Sequence, residues 1–299
     1  MTIAREAIMN DLIAVGLDGS AESVAAAHWA AREALLRGVP LHLVHAEEWS
    51  SPRAVPVPTA DVRRPWSQAL LTEAAEALRT AHPQLDVGIR SIDGRPAAVL
   101  AHVAANAGMI VLGSRGLGTL MGFVLGSVGM AVIQATVRPV VVVRASEDAV
   151  PHPVSRHASR DLVVGIDTSK PCDALLTFAF EEAARRACAL HVLHSWSPPP
   201  LVGYGGAYEP RIHAQLEMSA KAALDDVLGP WRVKYPAVAV TSRASAGHAA
   251  TELVDRSSEA GLMVVGRRIR QSPIGAHIGP VAHAVLHHAK GPVAVIAHA

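Results

Sequence analysis

LIAVGLDGS, residues 12–20, returns as DLVVGIDTS, residues 161–169. Each copy is a short, nearly continuous apolar run that breaks at an aspartate, which is how a strand covered on both faces reads. An internal repeat constrains a fold before any single motif does. The two halves are therefore compared outward from this register.

PLHLVHAEEW (40–49) recurs as ALHVLHSWS (189–197), AGMIVLGSRG (107–116) as AGLMVVGRRI (260–269), and RPVVVVRA (138–145) as GPVAVIAH (291–298). Asp18 thus pairs with Asp167 and His45 with His194. Between the copies runs a stretch rich in Pro, Ser and His without apolar periodicity, the mark of a linker. The expected organisation is a domain over 1–146, a linker over 147–159 and a second domain over 160–299, as a chain of 299 residues makes natural.

Within the first copy, Ser20 precedes AESVAAAHWAAREALLRG, a helix with an N-cap serine and a stop at Gly38. PLHLVHA is the second strand, SQALLTEAAEALRTAH (67–82) an amphipathic helix and LDVGIRSI a third strand. RPAAVLAHVAANAG is helix, MIVLG strand, and a helix from Ser127 leads to PVVVVR. Arg63 and Arg64 with Trp66 can be read as a stacking contact for a base, but read better as a cap and anchor of the helix that follows them, and Trp29 and Phe178 read as equivalent core positions. Strands alternating with helices imply right-handed crossovers and a parallel sheet. The fold class is α/β: two tandem doubly wound, Rossmann-like domains, each a five-stranded, mainly parallel sheet with helices on both faces. Ligands of such sheets bind beyond the carboxyl ends of the strands, where strand order reverses. Asp18, His45 and Gly113 all fall there, His45 as a strand-end histidine satisfied by neighbouring backbone.

Composition narrows the partners. The formal charge of +1 gives no field for nucleic acid or anionic lipid. No uncharged apolar run reaches spanning length and the first residues do not read as a signal peptide, so a cytoplasmic protein without membrane contact is expected. Cys172 and Cys188 form no disulfide framework. Although 16 histidines are present, with His283 and His287 four apart, no third ligand stands at a diagnostic spacing. No metal site is expected. HIGP (277–280) is similar to the HIGH signature of class I tRNA synthetases but follows the fourth strand instead of the first.

The loop GSRGLGTLMGFVLGS (113–127) follows the fourth strand. Gly113, Gly116 and Gly126 let backbone bend or approach a ligand. Gly126 and Ser127 open a helix, whose unpaired N–H groups and hydroxyl suit phosphate. Arg115 is the loop's one cation and there is no lysine, so binding is expected over rapid hydrolysis. The spacing is neither that of the Walker loop nor that of the dinucleotide fingerprint.

With G-x-x-G, nine residues, then G-[ST], the first copy resembles the universal stress protein family in a tandem arrangement. The resemblance spans nearly the whole chain outside the linker. It implies ATP, with Mg²⁺, as ligand of a stress-response regulator. Asp18 would lie beside the adenosine, the backbone of Val44 at adenine, and the glycine loop with Gly113, Arg115, Gly116, Gly126, Ser127 and Val128 at the phosphates, with Gly16, Leu17 and Ser20 also among the binding residues. It also implies pairing of the two domains and a homodimer, through the last strands.

The second copy departs from the pattern. Asp167, Leu193, Gly266, Arg267 and Gly279 match first-copy positions, but Gly116 has become Ile269 and Ser127 has become Pro280. Proline keeps a helix start while discarding an N–H and the hydroxyl, so a weaker second site is expected. Two other readings stand beside regulation: a slow ATPase or nucleotidyl-transferring enzyme, and an interaction module indifferent to nucleotide.

Overall fold

The computed structural model describes residues 12–48, 60–116, 123–145, 161–196, 210–269 and 278–299. The expected linker lies outside them. The chain divides into two compact units, Met1–His152 and Pro153–Ala299.

In the first unit, β1 (Ile13–Gly16), α1 (Ala21–Arg37), β2 (Leu41–Glu47), α2 (Ala60–Ala81), β3 (Val87–Asp93), α3 (Pro96–Ala105), β4 (Met109–Gly113), β5 (Arg115–Gly116), β6 (Phe123–Val124), α4 (Ser127–Ala135) and β7 (Val140–Val143) follow in order. The sheet runs β3-β2-β1-β4-β7, with every pair parallel. Order reverses between β1 and β4, where Val15 lies opposite Val111.

The second unit repeats the plan with β8 (Leu162–Gly165), α5 (Asp173–Arg186), β9 (Leu190–Trp196), α6 (Pro210–Lys234), β10 (Val240–Ala246), α7 (Ala249–Arg256), β11 (Leu262–Arg268), α8 (Pro280–His288) and β12 (Val293–His298). Its five strands, ordered β10-β9-β8-β11-β12, are likewise parallel. The α/β, doubly wound class expected from the repeat is the one observed.

The apolar runs are buried because both faces are covered. α1 lies on β1 and β4 and α2 on β2 and β3, while α3 lies on β1 and β2 and meets α4. Ala26, Ala30, Ala31 and Ala34 are fully buried, and such small side chains let α1 sit close to the sheet. Trp29 and Phe178 are buried as equivalent core positions. Each unit also buries a glutamate late in its first helix, Glu33 held by Arg37 and Glu182 by Arg185 and Arg186. Both cysteines are free thiols, Cys172 buried and Cys188 half-buried. Among the described residues, no helix is long and apolar enough to cross a membrane.

Two expectations need correction. α2 begins at Ala60, not Ser67, and holds Pro65 inside it, near its start, where the proline nitrogen donates no helical bond. Trp66 therefore sits within a helix, where it is 55% exposed, and does not anchor its start. The glycine loop also contains the antiparallel pair β5–β6, Arg115 opposite Val124 and Gly116 opposite Phe123. The sequence reading held no strand there, and residues 117–122 lie outside the described set.

Candidate functional site

At the carboxyl end of β1 the chain turns sharply. Leu17 is buried and its N–H donates to the Val44 carbonyl at 2.9 Å. Gly19 then takes φ +84°, a region that costs other residues strain. This brings Ser20 back beneath Asp18, whose Oδ1 accepts from the Ser20 N–H at 3.0 Å and from the Ser20 hydroxyl at 2.6 Å. Ser20 Oγ in turn accepts from the Ser23 N–H at 3.2 Å as N-cap of α1. Asp18 is exposed, yet its carboxylate is fixed at the sheet edge by the cap of the next helix.

Val44 is buried in β2, with Gly16 opposite it on β1 and Arg90 opposite it on β3. His45 Nδ1 stands 2.8 Å from the Leu17 carbonyl, which places a proton on that nitrogen. The strand-end histidine is satisfied by backbone, as its position led us to expect. Its ring meets the edge of Trp66 at 5.7 Å.

Across the strand reversal, β4 ends at Gly113. A Cβ there would lie 2.6 Å from the Glu22 carbonyl carbon and 2.7 Å from the Ser23 nitrogen. This glycine is thus required by the first turn of α1, which lies against the end of β4. Gly16 has a milder reason of the same kind, with Leu112 Cδ2 at 3.0 Å. Gly126 is the N-cap of α4 at φ −64°, ψ 162°, a conformation open to any residue. At this end of the sheet the positive φ falls on Gly19 and not on Gly126.

α4 begins with no side-chain cap, its first backbone bond running from the Met130 N–H to the Gly126 carbonyl. The N–H groups of Ser127, Val128 and Gly129 therefore have no partner within the helix, and the Ser127 side chain is exposed. The fold thus gathers Gly16, Leu17, Asp18, Ser20, Val44 and Gly113 at one edge of one sheet, and the chain reaches Gly126, Ser127 and Val128 from β4. Arg115 and Gly116 belong to β5; the Arg115 side chain lies outside the described set. Sequence reasoning missed Ser114, whose hydroxyl is buried at the root of the loop without a hydrogen-bond partner among the described residues.

The second unit keeps the outline with different chemistry. Asp167 Oδ1 accepts from the Ser169 N–H at 3.1 Å and the Ser169 hydroxyl at 2.6 Å, and its other oxygen is held by Lys170. Burial alone would raise this carboxyl, but hydrogen bonds from Lys170 and Ser169, with the lysine charge, outweigh it and hold it at about 2 against an ordinary 3.8. The equivalent of Lys170 in the first copy is Ala21, the one sequence signal that could have revealed this pairing. Leu193 is buried, and its carbonyl accepts from the Ile166 N–H at 2.9 Å.

At the loop end, Gly266 faces the His298 ring, with Nε2 2.7 Å from a built Cβ. β11 runs on past the position where β4 stops: Arg267 lies opposite Ala297 and Arg268 opposite His298, and the Ile269 N–H donates to the His298 carbonyl at 2.7 Å. Arg267 is buried, which pulls its guanidinium below its ordinary pKa. Gly279 caps α8 with Pro280 in the first turn. Of HIGP, His277 lies outside the described residues. The His283 and His287 rings stack at 4.3 Å, and the described residues hold no group of three or more His, Cys, Asp or Glu arranged for a metal ion.

Residues 9–144 and 159–297 each match the model of the universal stress protein family. The chain belongs to the universal stress protein family. Universal stress protein Rv2005c of Mycobacterium tuberculosis is 32% identical over 290 residues, covering 95% of this chain and 96% of its own. Universal stress protein Rv2623 of the same organism is 33% identical over 294 residues, covering 95% of each. The tandem arrangement is shared over that whole length. Among solved structures, a universal stress protein from Archaeoglobus fulgidus covers 96% of this chain and 98% of its own at a TM-score of 0.68 and 17% identity, a likeness of fold.

Proposed function

We propose that this universal stress protein binds an adenine nucleotide, ATP with Mg²⁺, at the carboxyl edge of its first unit, and acts through the bound state as a regulator in a stress response. The observation that carries this reading is the convergence of two unlike ends at one sheet edge. On β1 an exposed carboxylate is held in place by the cap of α1; beyond β4 a helix opens with its first donors uncapped and a hydroxyl exposed. Asp18 suits ribose hydroxyls and base amines, which donate. The Ser127 and Val128 amides suit phosphate oxygens, which accept, and the partial positive charge of a helix start favours them.

A ligand that binds one conformation better than another shifts the population toward it. Holding the nucleotide without consuming it is therefore sufficient for regulation. The second unit binds more weakly in this reading: Lys170 occupies the carboxylate, Pro280 supplies neither N–H nor hydroxyl, and Ile269 is committed to the sheet. Calorimetry of the whole chain with ATP tests the proposal, with one dominant site per chain expected. Purified protein that carries no nucleotide and binds neither ATP nor cyclic AMP at millimolar concentration overturns it.

A further inference from the structure

We propose that Trp66 is the outer wall of the nucleoside end of this crevice and takes a planar aromatic base against its indole face. Among the described residues it is the one exposed aromatic of the Phe, Trp and Tyr class. Its place is set from three sides. Its Cζ2 lies 3.8 Å from the position of a Cβ on Gly19, in the turn that presents Asp18. The His45 ring meets it edge-on at 5.7 Å and is itself fixed on the Leu17 carbonyl. The next residue, Ser67, is buried and donates to Glu47 Oε1 at 2.6 Å, an oxygen that Ser91 also engages. That anchor ties this stretch of α2 to the ends of β2 and β3.

An exposed indole normally forfeits hydrophobic stabilisation. Here it is held beside the carboxylate turn by contacts that order the ring while leaving it open to solvent, as a surface built to stack does. The described residues of the second unit show no such exposed ring: the tryptophan at the equivalent of Glu47, Trp196, is half-buried and tilts against His213 at 5.5 Å.

The inference rests on the nucleotide reading above and separates from it by choice of probe. Adenosine, ATP and inorganic tripolyphosphate are titrated into wild type, Trp66→Ala and Trp66→Phe, with folding checked by circular dichroism and melting. Trp66→Ala is expected to weaken adenosine and ATP by roughly 5- to 100-fold, the range for one lost base–aromatic stack, with tripolyphosphate unchanged. Trp66→Phe should stay within a few-fold of wild type yet lose the quenching of indole fluorescence that adenosine causes. If Trp66→Ala binds adenosine as wild type does, or weakens tripolyphosphate equally, the stacking role is overturned while the nucleotide site stands. Wild type that binds neither adenosine nor ATP overturns both.

Discussion

Asp18 and Asp167 are the same residue in the repeat placed in different electrostatic company. Asp18→Asn keeps an acceptor for Ser20 and removes the charge that a ligand donor would meet. We expect its melting temperature to match wild type and its affinity for ATP to fall roughly 10- to 100-fold, the span of a charge-assisted hydrogen bond, read by calorimetry. In the second unit the aspartate is worth testing as a matter of stability. Its folded pKa of about 2 lies below the ordinary 3.8, so the ionised form is favoured by folding. That contribution is present above pH about 4 and is lost as pH falls toward 2. Because Lys170 and Asp167 are nearly half exposed, solvent screening keeps it small, within about 1 kcal/mol. Denaturation curves of wild type and Lys170→Met should differ slightly at pH 7 and converge at pH 2; a difference that grows on acidification excludes this account. The sequence showed both aspartates at strand ends. It did not show the pairing, because a lysine three residues on reads as one more surface charge until the turn brings it back.

At the level of elements, the strands and most helix boundaries were legible because apolar periodicity and caps report burial directly. The start of α2 was not, since Pro65 reads as a stop although a helix tolerates the loss of one bond. The hairpin β5–β6 was invisible because two-residue strands carry no periodicity. Gly113 shows a subtler gap. Its place in a loop motif invited a reading in terms of ligand, whereas the nearest atoms are the backbone of Glu22 and Ser23. Gly113→Ala should therefore lower stability even without nucleotide, by about 1–3 kcal/mol, as overpacking against backbone does. Ser20→Ala removes the N-cap of the same helix and should cost about 1 kcal/mol. Both losses are measurable by denaturant unfolding of the apo protein, and an unchanged midpoint for Gly113→Ala counts against the contact with α1.

For the whole molecule, the repeat decided the architecture, since a pattern that recurs over two halves leaves few topologies to consider. The asymmetry between halves was only partly legible: Ile269 and Pro280 stand in the sequence where the first copy has Gly116 and Ser127, while the longer β11 needed coordinates. If ATP binds mainly the first unit, saturation should move the unfolding of that unit alone. At a free concentration of 100 times Kd the gain is about 2.7 kcal/mol. Calorimetric melting should then separate into a raised first-unit transition and an unmoved second-unit one; equal shifts in both would show two comparable sites.

The extra length of β11 also bears on how the two halves diverged. Had only side chains drifted, Ile269→Gly with Pro280→Ser would turn the second copy back into the first. Pro280→Ser would return an N–H and a hydroxyl to the start of α8, whereas the Ile269 amide is already spent on the His298 carbonyl and the His298 ring lies against Gly266, so Ile269→Gly would return a letter to the sequence without freeing that donor. The two exchanges are thus unequal: one is a matter of a single side chain, while the other would also need the end of β11 to part from β12.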